Sequence, residues 1–217
     1  MTILSVPIAE DRLARHQQVL TRAEAGNAGP RDWRAWKLAA ARSLVALADD
    51  APRMEVLDIH LEGEFYAVYR IAMPVPRWPL KGALQVGQEA VFDLLYEESW
   101  RRTAPPPTMP MGMFFPPDVF HPNCRPAPLP LPIALPFFDN APRVALCLGT
   151  LEPNVSIRQL ALMGHDLVSC QAVMMDETDP NGVFNPFASE YFRSLPKEEV
   201  PLYRLGLLEP WNPGGNA

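Results

Sequence analysis

The chain has 217 residues, 48% of them hydrophobic and 20% charged, with a formal net charge of −6. That composition suits a single sizeable core, and the acidic balance, with no run of Lys and Arg to track phosphates, argues against nucleic acid as a partner. No proline-free stretch of about 20 apolar residues is present, so no membrane span is expected; three cysteines, Cys124, Cys147 and Cys170, without a secretory leader at the start, point to reduced thiols and a cytoplasmic location.

Ala9–Ala25 is polar and reads as a surface helix, broken by Gly26-Asn27-Ala28-Gly29-Pro30; residues 1–30 form an N-terminal extension. Asp32 can cap a second helix whose Trp33, Trp36, Ala40, Leu44 and Leu47 share a face. From 54 to 73 the pattern changes period. Leu57, Ile59 and Leu61 alternate with Asp58, His60 and Glu62, and Phe65–Ile71 follows after Gly63, which predicts a hairpin. A third strand is expected over Ala90–Tyr96 and a fourth over Met113–Phe120.

Proline then dominates: 26 in 217 residues against a usual level of about 5%. The clusters at 74–79, 105–117, 122–142 and 196–213 predict stiff extended loops. Helical periodicity returns at Ser156, a potential cap, with Ile157, Leu160, Ala161, Gly164, Leu167 and Val168 on one face. Asp179-Pro180-Asn181-Gly182 is a turn, Ala188–Arg193 a short last helix, and 196–217 a Pro/Gly-rich tail. The fold class is α+β: an antiparallel four-stranded meander with an N-terminal helix and C-terminal helices, in one domain over 31–195 with a Pro-rich insertion at 124–142.

The chemistry concentrates at His121-Pro122-Asn123 and Ala145-Leu146-Cys147-Leu148-Gly149. A proline-fixed turn offers a side-chain amide donor, and an apolar strand delivers a thiol. A thiol can carry an acyl group as a thioester, and an amide N–H can stabilise the oxyanion formed when that group leaves. Such chemistry needs no cofactor and no metal.

The element order and four segments resemble the ubiquitin-conjugating enzymes, over about Met54–Phe192. Phe114–Asn123 resembles the family's Pro-Pro, strand and His-Pro-Asn segment. Val144–Leu148 resembles its active-site Ile-Cys-Leu. Leu151–Ile157 resembles the Trp-Ser-Pro stretch that opens the next helix, with Leu151 in place of Trp, and Asp179-Pro180-Asn181 with Asn185-Pro186 and Ala188 resembles the Asp-Pro-Asn segment after it. The resemblance implies a ubiquitin-conjugating-like fold. It makes Cys147 the acceptor of a ubiquitin-like protein from an activating-enzyme-like adenylyltransferase, Asn123 the oxyanion donor during transfer to a protein acceptor, and His121 the residue that orders the loop.

Twenty-three residues separate Asn123 from Cys147, more than the family's short loop, and the segment from Cys147 to the next helix is shorter than usual. This divergence resembles the bacterial branch. That branch is encoded in operons with a deubiquitinase-type metalloprotease, in systems linked to phage defence.

Other readings compete. Cys147 is also readable as a small buried hydrophobe, and Asn123 as a turn residue in an inert binding or scaffold fold. Cys124, beside His-Pro-Asn, is an alternative nucleophile. His121, Cys124, Cys147 and His165 offer a zinc set. Cys170 reads as core, and His60 and His165 as surface residues. One of Asp176, Glu177 and Asp179 could polarise an incoming lysine, as the resemblance implies, or all three belong to a solvated turn. The uncharged stretch Pro126–Phe138 exposes a large apolar patch unless it packs on the domain or docks a partner.

Overall fold

A computed structural model describes residues 11–80, 83–106, 111–113, 119–125, 144–171, 184–196, 199 and 203–209. Two helices, α1 (Arg12–Ala25) and α2 (Arg31–Asp50), precede five antiparallel strands: β1 (Met54–His60), β2 (Phe65–Leu80), β3 (Ala83–Tyr96), β4 (Met111–Met113) and β5 (Val144–Ala145). Helices α3 (Ile157–Val168) and α4 (Pro186–Ser194) follow. The strands lie in chain order across one sheet. The fold is therefore α+β with a meander, extended by a two-residue fifth strand that the four-strand expectation did not include.

The α2 stripe buries Trp33, Ala40, Leu44 and Leu47, with Trp36 half-buried between Trp33 and Tyr96. Its first helical residue is Arg31, so Asp32 is not the cap; it sits in the first turn, where its charge faces the positive end of the helix dipole. Lys37, buried on this helix, donates to the carbonyls of Ala28, Leu61 and Gly63 and lies over the Trp33 ring. It joins the α1–α2 turn to the β1–β2 turn.

Helix α1 is more than a surface appendage. His16 is fully buried: its Nδ1 donates to Asp49 and its Nε2 accepts from the Val56 N–H. Val19 and Ala23 enter the main core, and the Arg12 guanidinium donates to the carbonyls of Ala48, Asp49, Ala51 and Met54. The core extends past residue 195 as well. Leu207 is buried in it, and Arg53 donates to the carbonyls of Leu205, Gly206 and Glu209 while stacking on Tyr203. The core thus reaches beyond 31–195 at both ends.

Strand β1 departs from simple alternation. The β1–β2 register shifts between Val56 and Asp58. Met54, Val56, Ile59 and Leu61 are buried while Leu57 is exposed. One extra residue reverses the facing of everything after it, which is what a bulge does.

Strand β2 runs straight through Pro74, Pro76 and Pro79, a segment expected to be a loop. β1 accompanies β2 only as far as Ile71, so the part of β2 that holds the prolines has one edge with no β1 ladder to complete. Register shifts between Ala72 and Val75 and between Arg77 and Leu80 absorb the irregularity. That edge receives the chain entering the His-Pro-Asn turn: Val119 bridges Arg77, and the Phe120 N–H donates to the Pro76 carbonyl at 3.0 Å. Of the fourth strand expected over Met113–Phe120, only its two ends, Met113 and Val119–Phe120, fall among the described residues.

Candidate active site

The His-Pro-Asn turn lies between two hydrophobic groups. Cys124, Val144, Leu146, Leu148 and Leu151 belong to the main core. Phe120, Cys170, Ala188 and Phe192 form a smaller cluster beside it. Phe120 meets Trp78, Tyr191 and Phe192 edge to face or tilted, with ring centroids 4.6–6.0 Å apart. Aromatic packing thus anchors the residue just before His121.

The turn closes on itself through the Cys124 N–H, which donates to the His121 carbonyl at 3.0 Å. His121 is fully buried. Its Nδ1 accepts from the Asn123 backbone N–H at 3.0 Å, so the ring proton resides on Nε2, which donates to Cys170 Sγ at 2.9 Å. Burial drives the imidazole pKa down to about 3, and the ring is neutral at ordinary pH. A neutral, fully bonded imidazole is an ordering group, with no free lone pair to act as a base.

The chain then returns to the turn. Cys124 bridges Leu146, the Arg125 N–H donates to the Ala145 carbonyl at 2.9 Å, and the Cys147 N–H donates to the Asn123 carbonyl at 2.8 Å. Three backbone contacts therefore bring Cys147 beside Asn123 across 23 intervening residues. Asn123 is 5% exposed, whereas Cys147 is partly exposed, two residues beyond the end of β5. The Gly149 that follows has φ +71, which a side chain would strain, and it turns the chain toward α3.

The other two thiols differ in kind. Cys124 is fully buried, and desolvation together with the nearby Cys170 and Cys147 pushes its pKa far above the ordinary thiol range. Burial pushes Cys170 up to about 12. Neither can supply a thiolate near neutral pH. Among the three cysteines, accessibility favours Cys147 as a nucleophile.

Helices α3 and α4 meet this site at their ends. Ser156 caps α3 in a reciprocal box with Gln159. Cys170 lies just past α3 with φ +58, buried in the smaller cluster. Asn185 caps α4 through its side chain, and its backbone N–H donates to the Pro122 carbonyl at 2.9 Å. Cys170 and Asn185 are thus two contributors that the sequence reading did not assign to the site.

His165, expected on a surface, is fully buried; its Nδ1 bonds Asp166 and its Nε2 lies 3.5 Å from the Arg53 guanidinium. Among the described residues, no three or more His, Cys, Asp or Glu gather as a metal site, and the set His121, Cys124, Cys147 and His165 does not assemble. Asp176, Glu177, Asp179 and the stretch Pro126–Phe138 lie outside the described residues. Among the described residues, no helix is long and apolar enough to cross a membrane. No family model matches the chain, and neither a curated protein nor a solved structure matches it.

Proposed function

We propose that this chain is a ubiquitin-conjugating-like enzyme that carries a ubiquitin-like protein as a thioester on Cys147. The observation that carries the reading is the hydrogen bond from the Cys147 N–H to the Asn123 carbonyl. It sets the partly exposed Cys147 beside the His-Pro-Asn turn, while Cys124 and Cys170 are buried. The helix, meander, cysteine, helix order supports a ubiquitin-conjugating-like fold.

The chemistry follows from these groups. The Cys147 thiolate attacks the thioester carbonyl of a ubiquitin-like C-terminus held by an activating-enzyme-like adenylyltransferase. The new C–S bond forms as the old one breaks and its thiolate leaves. An amine of a protein acceptor then attacks that carbonyl. The Asn123 side-chain amide donates to the oxyanion, the amine proton passes to solvent or to a carboxylate, and collapse expels the Cys147 thiolate. Asp176, Glu177 or Asp179 is the proposed proton acceptor. The cellular setting proposed is a bacterial antiphage conjugation system, cytoplasmic, with a deubiquitinase-type metalloprotease in the same operon.

One observation favours an inert scaffold instead: Asn123 is almost fully buried, as a turn residue would be. The two readings separate on discharge. Asn123→Ala is expected to load the thioester normally and to lose about 10²–10³ in the rate of transfer to free lysine. Transfer at the wild-type rate would leave Asn123 a turn residue only.

A further inference from the structure

Helix α3 ends in an arrangement that a glycine would ordinarily occupy. The Gln171 N–H donates to the Asp166 carbonyl at 2.9 Å and the Cys170 N–H to the Leu167 carbonyl at 3.3 Å, the paired bonds of a Schellman ending. The residue between them must be left-handed, and here it is Cys170 at φ +58. A side chain at this position is strained, and cysteine gains nothing there from local backbone bonding as asparagine would. The strain is explained by where the thiol goes: Sγ accepts from His121 Nε2 at 2.9 Å, inside the small cluster of Phe120, Ala188 and Phe192.

From that thiol an unbroken chain of hydrogen bonds leads to the proposed nucleophile. His121 Nε2–H reaches Cys170 Sγ, the Asn123 N–H reaches His121 Nδ1, and the Cys147 N–H reaches the Asn123 carbonyl. Imidazole exists as two neutral tautomers, and only the one protonated on Nε2 leaves Nδ1 free to accept from Asn123. His121 is fully buried, so water cannot substitute for a lost partner at Nε2.

We propose that Cys170 is a positioning residue: its thiol selects the Nε2–H tautomer of His121 and so fixes both peptide groups of Asn123 beside Cys147. α3 would thereby be coupled to the site through its last turn, and Cys170 would be retained despite its backbone conformation. The inference rests on the thioester reading for its consequence in catalysis, but the tautomer is measurable without it.

Two substitutions separate anchoring from simple helix capping. Cys170→Gly relieves the left-handed backbone and removes the acceptor. Cys170→Ser keeps an acceptor on the same backbone. Nitrogen NMR of the imidazole rings should show wild-type His121 protonated on Nε2 alone. The Cys170→Gly spectrum should show mixed tautomers and a displaced Asn123 amide signal, and Cys170→Ser should restore the wild-type pattern. Where wild type forms the thioester, discharge to free lysine should fall about tenfold to 10²-fold in Cys170→Gly, with Cys170→Ser close to wild type. An unchanged His121 tautomer and Asn123 amide in Cys170→Gly would overturn the proposal. Retention of full discharge with an altered tautomer would also overturn the positioning role. A wild type that never loads Cys147 would reject the thioester reading and leave the ring spectra to decide the anchor.

Discussion

His121 shows how one side chain ties stability to the site. In the unfolded chain its pKa is near 6.5, and in the folded protein burial lowers it to about 3. A depressed histidine contributes stability that is fully present above the unfolded value and is lost as pH falls toward the folded one. Between pH 6.5 and 3 this residue alone should cost about 1.4 kcal/mol of stability per pH unit. Urea unfolding at pH 7.0, 5.5 and 4.5 checks this. His121→Gln should flatten the acid-side slope by that amount, and an unaltered slope would mean the ring is protonated in the fold. His165, lowered first by burial, adds to the same trend. Among single residues, Asn123 and Cys147 were legible because Pro122 fixes the turn and an apolar run marks the strand that delivers the thiol. Cys170 was not legible: nothing local marks it, and its partner lies 49 positions away. Asn185 was hidden for a related reason, since its contact with Pro122 is a backbone bond that side-chain identity does not announce.

At the scale of elements, periodicity located the helices and misjudged the strands where backbone irregularity intervenes. α3 begins at the Ser156 cap as the spacing suggests, and α4 begins with a proline at its first turn behind the Asn185 cap. In β1, alternation placed Leu57 inward, but the bulge turns it to solvent and leaves Val56 and Ile59 in the core. Leu57→Thr should therefore cost under about 1 kcal/mol, whereas Ile59→Ala should cost about 2–5 kcal/mol. Equal losses in chemical denaturation would place Leu57 inside. In β2, prolines read as loop because each removes a ladder donor. They are tolerated here because the strand's second edge is unaccompanied by β1, and the Pro76 carbonyl still receives Phe120. That pairing brings the turn to the sheet, so the irregular half of β2 is part of what positions the site.

Across the whole molecule, the site sits where long-range contacts converge: the edge of β2, the return through β5, and the ends of α3 and α4. Composition and element order made the α+β class legible. The joining of 12–25 and 203–209 to the core was less so, because it rests on polar anchors, the buried His16 and Arg53 and the half-buried Arg12, whose types ordinarily signal surface. The sequence between Asn123 and Cys147 carries six large apolar residues and no charge over Pro126–Phe138. Its prolines reduce the entropy lost on ordering. Replacing Pro126–Phe138 by a short Gly/Ser link should impair loading of a ubiquitin-like protein more than it lowers the unfolding temperature. Unchanged loading would reduce the stretch to a spacer. The most direct test of the thioester reading is adduct formation itself. Mixed with ATP and the proposed activating enzyme and ubiquitin-like protein, the wild-type chain should form an adduct that a thiol reductant removes. Cys124→Ala should retain that adduct and Cys147→Ala should lack it; an undiminished adduct in Cys147→Ala would contradict the account.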